Sequence, residues 1–251
     1  MFTAKIPLLL TSSVIVHDRG VALKDTGERI RLALESVEEW LRIDPNLPIV
    51  LCDGSSFDFT NEVEERFPKA LIECLSFENN QDMVRSYGRG YGEGEIVRYA
   101  LHHSKLIAQA GCFAKCSSKL WVENFLQCSK KWNENFLCKG VFSNVFFPLK
   151  KTELSYIDTR FYISSLNFYR QNLIDAHLSI DKRKGYGLEH SFLVLLNKKK
   201  FKRIMFTVSP VISGVGGGTG TYYKNSWVRR YKESLRLTLV RAHPKFKFLF
   251  I

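Results

Sequence analysis

The sequence lacks the features that define membrane-spanning, secreted and low-complexity proteins. Its longest apolar run, Ile6 to Val16, is interrupted by Pro7 and a Thr-Ser-Ser triplet, and it is far shorter than the ~20 residues a spanning helix needs. The residues before it are weakly charged and no small-residue cleavage site follows, so a buried first strand explains the run better than a signal peptide. The chain has only seven prolines and no internal repeat, which favours a globular domain.

Cysteine is sparse, and the spacings that bind zinc are missing. Most of the six cysteines lie in apolar contexts, such as Cys52 at the end of Ile-Val-Leu-Cys. We therefore expect free, buried thiols in a reducing cytoplasm rather than a disulfide framework. Cys112 and Cys116 have no second pair of ligands nearby, so we predict no zinc site there.

Acidic residues are almost absent from the last 70 residues. Residues 182–251 hold 16 Lys and Arg against Glu189 and Glu233 alone, whereas residues 1–181 hold 21 Lys and Arg against 23 Asp and Glu. The net charge of +12 therefore comes from the C-terminal part. Such asymmetry indicates a surface that meets nucleic acid, a phosphate-bearing ligand or an acidic membrane, or else a solvated face. No standard nucleic-acid-binding motif supports the first of these partners.

Alternating apolar segments predict an α/β fold. Residues 6–16, 48–52 and 71–75 are typical of buried parallel strands. The helix expected between the first two begins at a capping pair, Asp25 and Glu28. This order predicts a mostly parallel sheet flanked by helices, with ligands at the carboxyl ends of the strands. We expect one domain over residues 1–225.

The remaining residues, 226–251, predict a basic amphipathic helical tail. One side of the helix carries apolar residues at a spacing of four, namely Trp227, Tyr231, Leu235 and Leu239. Other apolar residues that we expect at a lipid interface are Leu237, Phe246, Phe248 and Phe250. Basic residues next to them would be attracted to anionic lipid. We predict a peripheral protein at the inner face of the cytoplasmic membrane.

Several polar clusters follow the predicted strands and form a candidate ligand site. The first predicted strand ends in Thr11, Ser12 and Ser13, and the second ends in Asp53. Asp53 is either an acceptor that binds a nucleotide base or a helix cap. A glycine-rich loop over Gly88–Gly94, with Gly88, Gly90, Gly92, Arg85 and Arg89, would let backbone N–H groups approach phosphates. Further candidates are Lys115 and Lys119 for a diphosphate, and Asp158 and Arg160, which otherwise form a structural ion pair. The glycine loop matches neither a P-loop nor a Rossmann fingerprint.

Glu189 and His190 are the candidate catalytic pair. They are flanked by apolar residues in Gly-Leu-Glu-His-Ser-Phe, where a carboxylate can take a proton from an attacking hydroxyl. The alternative is a buried structural pair.

The order of these motifs resembles bacterial GT-A-type glycosyltransferases of lipopolysaccharide, O-antigen and capsule biosynthesis. The resemblance covers residues 6–225 and rests on Val-Leu-Cys-Asp-Gly-Ser-Ser, Gly-Arg-Gly-Tyr-Gly-Glu, Lys-Cys-Ser-Ser-Lys-Leu-Trp, Asp-Thr-Arg-Phe, Leu-Glu-His-Ser-Phe and a late Gly-Gly-Gly. It implies a hexosyltransferase that takes a nucleotide-sugar donor and a glycan or lipid-linked acceptor. Asp53 would contact the base, Gly88–Gly92 the nucleotide, and Glu189 would be the base.

One departure from that family concerns the metal. Its members commonly hold Mn²⁺ or Mg²⁺ with Asp-x-Asp after the fourth strand, but this chain contains no Asp-x-Asp and has Lys115 and Lys119 there. We therefore expect no required cofactor, with cations stabilising the leaving group; an ion held by other acids is the alternative. A nucleic-acid-binding protein and a non-catalytic nucleotide-sugar-binding scaffold are the rival functions.

Overall fold

The computed structural model describes residues 5–16, 18, 20–147, 149–223 and 225–251. Its strands are β1 (Leu8–Ser12), β2 (Ile49–Asp53), β3 (Ile72–Ser76), β4 (Cys112–Ser117), β5 (Leu120–Val122), β6 (Phe136–Ser143), β7 (Glu153–Ser165), β8 (Ile212–Val215) and β9 (Tyr222–Tyr223). Its α-helices are α1 (Thr26–Ile43), α2 (Thr60–Arg66), α3 (Gln81–Tyr87), α4 (Arg89–His103), α5 (Lys105–Ala110), α6 (Phe125–Ser129), α7 (Leu166–Asn172), α8 (Leu188–Lys198) and α9 (Trp227–Ala242). Short 3-10 helices cover Ala176–Ser179, Lys182–Lys184 and Lys247–Leu249.

The described residues form a central six-stranded sheet in the order β3-β2-β1-β4-β7-β6. The first four strands are parallel, and β7 runs antiparallel to both of its neighbours, so the other five share one direction. A smaller antiparallel sheet has the order β5-β8-β9. This confirms the predicted α/β fold with a mostly parallel sheet and a basic C-terminal helix.

Both faces of the central sheet are covered, as the apolar runs predict. On β1, Leu8 and Leu10 pack with the α1 residue Trp40 on one face, whereas Leu9 packs with the α4 residue Val97 on the other. The alternation follows from the two-residue period of a strand. Because β1 and β2 are buried along their whole length, a ligand can reach these central strands only where they end.

Helix α1 begins as predicted and fixes the neighbouring turn. The Asp25 carboxylate accepts a 2.7 Å hydrogen bond from the Glu28 N–H, which caps the helix. Further along, Trp40 Nε1 and Ser36 Oγ donate to the Leu120 carbonyl at 3.0 and 2.8 Å. The β4–β5 turn is thereby held against α1 at the carboxyl end of the sheet.

The predicted glycine-rich loop is largely helix, and this prediction was wrong in form. Only Gly88, with φ of 85°, separates helix α3 from helix α4. The following glycines lie in the first turns of α4. A Cβ atom on Gly94 would stand 2.3 Å from His177 Cβ, and one on Gly90 would stand 3.1 Å from Ile180 Cδ1. These glycines therefore let α4 approach its neighbours closely.

The tail forms α9 as predicted, but two of its last three aromatic residues point inward, and only Phe248 is exposed. Phe246 and Phe250 are buried, and the Phe246 ring packs edge-on against Phe142 with centroids 5.0 Å apart. They cannot insert into a lipid interface, because they already belong to the protein core. The predicted apolar side of helix α9 faces solvent instead, since its first residue, Trp227, is 78% exposed.

Candidate active site

A cleft of about 680 Å³ opens at the carboxyl ends of β1 and β4, and we call it the main cleft. Its floor is the end of β1 and the β4–β5 turn, and its sides are the start of α4 and the centre of β7. The start of α8 and the loop 216–219 complete the rim. The predicted site residues that line it are Thr11, Ser12, Ser13, Gly88, Arg89, Gly90, Gly92, Lys119, Asp158, Arg160 and Glu189. The other predicted residues, Asp53, Arg85, Lys115 and His190, lie outside its lining.

Asp53 is fully buried, and its carboxylate accepts hydrogen bonds mainly from backbone N–H groups. Its carboxylate accepts hydrogen bonds from the Val14 N–H at 2.9 Å, from the Ser55 N–H at 2.7 Å and from Ser55 Oγ at 2.6 Å. It also accepts a longer bond, of 3.3 Å, from the Phe57 N–H. Asp53 therefore ties the loop after β1 to the loop after β2 beneath the main cleft. In this arrangement its oxygens are occupied by protein donors.

Lys115 is buried and does not line the main cleft, but it forms an ion pair with Glu93, which does. Its Nζ lies 2.6 Å from Glu93 Oε1 and donates to the Thr159 carbonyl at 3.0 Å. The Lys115 side chain is fully buried, whereas Glu93 lines the main cleft. Arg85 is exposed and pairs with Asp82 at 2.8 Å on α3. Neither cation therefore faces the cleft.

Two buried cations line the main cleft, and neither forms an ion pair among the described residues. Lys119 is 6% exposed, and its Nζ donates only a 3.3 Å bond to Ser118 Oγ. Burial, with a smaller contribution from the Arg29 charge, lowers the pKa of Lys119 to about 7. Arg29 is equally buried and donates to the carbonyls of Ser13 and Leu23 at 2.7 and 2.8 Å. Burial lowers its pKa to about 10. The Asp53 charge raises the pKa of both, but by less than burial lowers it.

Arg29 is not among the site residues predicted from the sequence. It lies on the face of α1 that carries Ala33 and Trp40, and all three are buried. An arginine on an otherwise apolar helical stripe is costly unless something pairs with it. That pattern is the signal that could have identified it.

The loop 216–219 covers these cations closely. A Cβ atom on Gly217 would lie 3.6 Å from Arg29 Nη1 and 3.7 Å from the Lys119 side chain, and one on Gly218 would overlap the Arg89 guanidinium. Arg29, Lys119 and Arg89 thus converge on one glycine-rich loop, and we call them the cation triad. Cations gathered beneath three consecutive glycines can bind a polyanion such as a diphosphate.

Asp158 and Arg160 form an ion pair on the β7 wall of the cleft. Arg160 Nε and Nη2 lie 2.8 and 2.5 Å from the two Asp158 oxygens, and the guanidinium also lies 5.0 Å from the Tyr223 ring centroid. Burial raises the pKa of Asp158, but hydrogen bonding and the charge of Arg160 outweigh it, so the net pKa is lowered. A carboxylate that holds its charge so firmly is a poor proton acceptor.

Glu189 lies in the first turn of α8 and lines the main cleft. No other described side chain or N–H group donates a hydrogen bond to its carboxylate, so the carboxylate is open to a ligand. His190 instead stacks on Tyr186, with ring centroids 5.2 Å apart, and its buried Nδ1 has no described partner. The two neighbours therefore face different surroundings, because successive helical residues point about 100° apart.

Two further features of the described residues concern metals and membranes. They contain no group of three or more His, Cys, Asp or Glu side chains arranged to hold a metal ion. Nor does any helix among them combine the length and the apolar character needed to cross a bilayer.

No protein-family model matches the sequence, and no curated protein matches it. Solved structures do match. The inositol-1-phosphate CTP transferase from T. maritima has a TM-score of 0.52 at 10% identity, over 95% of this chain and 97% of that one. Core-mannan synthase A from Aspergillus fumigatus, in a Mn/GDP form, has a TM-score of 0.51 at 13% identity, over 100% and 87%. An active-site mutant of LgtC has a TM-score of 0.50 at 9% identity, over 80% and 72%.

These similarities define the class of fold. It is a GT-A-like α/β fold, found in both glycosyltransferases and nucleotidyltransferases among the matches. The chain spans less than half the length of two other matched glycosyltransferases, WbbM and GlyE of Streptococcus pneumoniae, at 39% and 45%. Their TM-scores are 0.44 and 0.47.

Proposed function

We propose that the protein is a hexosyltransferase of surface polysaccharide biosynthesis. It would transfer a sugar from a nucleoside diphosphate-sugar to a glycan or lipid-linked acceptor. The observation that carries this proposal is the cation triad. Arg29, Lys119 and Arg89 converge at the carboxyl ends of β1 and β4, which is where open α/β sheets bind ligands. Among the described residues none of these three cations forms an ion pair, while the cleft acids Glu93 and Asp158 are already paired with other cations. The triad therefore provides the charge that a diphosphate needs.

The triad supplies electrostatic stabilisation of the leaving group. When the bond between the anomeric carbon and the diphosphate oxygen breaks, negative charge grows on that oxygen, and preorganised cations stabilise it most in a site with little water. A bound diphosphate would favour the protonated form of Lys119, whose pKa is about 7 in the free protein. In this scheme cationic side chains replace the metal ion, so the reaction needs no Mn²⁺ or Mg²⁺.

Glu189 is the proposed general base. Its carboxylate lines the main cleft and has no described donor, whereas Asp158 is held as a charged partner of Arg160 and Glu93 is held by Lys115. The acceptor hydroxyl oxygen would bond to the anomeric carbon, its proton would pass to Glu189, and the nucleoside diphosphate would leave.

We also propose that α9 docks on an anionic membrane surface, at the inner face of the cytoplasmic membrane. The exposed side of this helix carries Trp227, Tyr231, Leu235 and Leu239, which are 78, 65, 41 and 43% exposed. Residues four apart share one face of a helix, so these side chains form a continuous apolar stripe. Neighbouring basic residues contribute about 1 kcal/mol each at an anionic surface.

The test is a screen of UDP-, GDP-, dTDP- and CMP-sugars for thermal stabilisation, followed by nucleotide-release assays with EDTA present. Donor binding should raise Tm by mass action, and release should survive EDTA. Lys119→Met should lose the stabilisation, whereas Lys105→Met, an exposed change on α5, should keep it.

Four results would contradict the proposal. Release of pyrophosphate from a nucleoside triphosphate and a sugar 1-phosphate would show nucleotidyl transfer instead. Binding without turnover would indicate a scaffold, and salt-dependent oligonucleotide binding alone would indicate a nucleic-acid partner. Loss of release in EDTA with rescue by Mn²⁺ would show that a metal is required.

A further inference from the structure

A second cleft, of about 460 Å³, lies between the β6–β7 hairpin, the segment 207–212 and α9. We call it the α9 cleft. Its lining includes Tyr156, Asp158 and Arg160, which also line the main cleft. The two clefts therefore meet at the centre of β7, with the Asp158–Arg160 ion pair on their shared wall. A molecule in the α9 cleft would therefore lie next to one in the main cleft.

The α9 cleft carries an excess of positive charge. Its cationic lining residues are Lys139, Arg160, Arg229, Arg230, Arg236 and Arg241, against the two acids Asp158 and Glu233. Glu233 pairs with Lys139 at 2.9 Å and with Arg236, and Arg230 pairs with Glu123 behind the lining. Even with Glu123 counted, cations outnumber the acids.

Two arginines in the α9 cleft have hydrogen-bonding capacity left over. The Arg236 Nε is buried and has no partner among the described residues. Arg241 donates a 3.3 Å bond to the Thr207 carbonyl and forms no described ion pair. A buried donor without a partner costs free energy that a ligand oxygen would recover. Arginine N–H groups are arranged to bind carboxylate or phosphate oxygens in pairs.

The remaining walls of the α9 cleft suit a sugar ring rather than a bare ion. Val141, Phe142, Pro210 and Leu237 supply apolar surface, and Ser234 and Thr238 supply hydroxyl groups. Binding sites of this kind combine apolar walls with a few placed polar groups.

We propose that the α9 cleft binds the acceptor, and that this acceptor is a glycan bearing an oxyanion, either phosphate or carboxylate. This rests on the proposed function, because it takes the main cleft as the donor site. The arginines of α9 would hold the oxyanion and direct the acceptor hydroxyl past β7 towards the anomeric carbon. The cleft thereby selects anionic over neutral acceptors.

The binding test uses calorimetry with glucose 6-phosphate, glucuronate and glucose at millimolar concentrations. Wild type should bind at least one of the two anionic sugars and bind glucose at least about tenfold more weakly. Which anion binds more tightly identifies the oxyanion. Lys119→Met, in the main cleft, should leave this binding unchanged. Failure of wild type to bind either anion, or equal binding of glucose, would overturn the proposal.

Two variants locate the binding in the α9 cleft. Arg236→Gln combined with Arg241→Gln removes both arginines with spare donors, and Ser234→Glu adds an acid at a lining position whose hydroxyl makes no described contact. Each should weaken anion binding at least about tenfold. Ser234→Glu tests the idea even if the double variant unfolds. Lys232→Gln, an exposed change on α9 outside the lining, is the matched control.

The outcomes separate this proposal from the proposed function. Anion binding lost in Lys119→Met but kept in Ser234→Glu would place the anion in the main cleft and overturn the acceptor site. Nucleotide-sugar stabilisation should persist in Ser234→Glu, since the donor lies elsewhere. If no nucleotide-sugar stabilises wild type while the Ser234-dependent anion binding remains, the glycosyltransferase proposal fails and the α9 cleft stands as an anion site alone.

Discussion

Lys119→Met should make the free protein more stable at pH 6 while it weakens nucleotide binding. Burial lowers the pKa of Lys119 from 10.5 to about 7, so the folded state resists its charged form. Below pH 7 the lysine is charged in both folded and unfolded states, and the cost of burying that charge is fully present. The cost declines as the pH rises from 7 to 10.5 and is absent above that range. Methionine has similar length and no charge.

The magnitude follows from the same pKa difference. A buried, unpaired ammonium costs on the order of a few kcal/mol, and solvent relaxation reduces the recoverable part. We therefore expect the Tm of Lys119→Met to rise by several degrees at pH 6, since ~1 kcal/mol shifts Tm by about 2–4 °C in a domain of this size. The gain should shrink as the pH approaches 10. Donor affinity should fall by roughly 10- to 100-fold, which is the worth of a hydrogen bond to a charged group.

The assay is differential scanning calorimetry from pH 6 to 10, with and without a stabilising nucleotide-sugar. Lys105→Met controls for the loss of an exposed lysine. A lower Tm for Lys119→Met at pH 6 would refute the claim that its charge is buried and unpaired. Unchanged donor affinity would refute its place in the cation triad.

Three other outcomes are expected. Asp53→Ala should lower stability by about 2–4 kcal/mol in urea unfolding, because it leaves several buried N–H groups unpaired; an unaltered midpoint would contradict this. Glu189→Gln should cut kcat by roughly 10²–10⁴-fold with donor Kd unchanged, and His190→Ala should do less; the reverse ranking would make His190 the base. Trp227→Ser with Tyr231→Ser should reduce co-sedimentation with anionic liposomes, and equal sedimentation would count against membrane docking.

The sequence predicts those parts of the fold that depend on local apolar pattern. Strands β1 to β3 and helix α1 follow from runs and periodicities a few residues long, and the Asp25 cap follows from residue type. The α4 glycines were predicted as a loop, because glycine is typical both of loops and of closely packed helices. The partner that decides between these roles, His177, is remote in sequence.

The site was less predictable because it depends on which side chains are already occupied. Asp53 and Lys115 occupy positions typical of ligand contacts, yet protein groups use their polar atoms. Arg29, far from every strand end in sequence, enters the cleft because α1 packs beside the β4–β5 turn. The spacing of residues along the sequence does not show which side chains form hydrogen bonds or ion pairs with each other in the fold.

The glycines of α4 and of the loop 216–219 also restrict how this protein can evolve. At Gly94 even one methyl group would displace His177, whose Nε2 lies 2.6 Å from Glu95 Oε1. At Gly218 a methyl group would overlap the Arg89 guanidinium, which would have to move away from the other two cations of the triad. The absence of a side chain at Gly218 thus leaves space for Arg89 in the main cleft. Substitution of Gly94 is therefore expected to be costly, whereas exposed positions such as Lys232 are free to change.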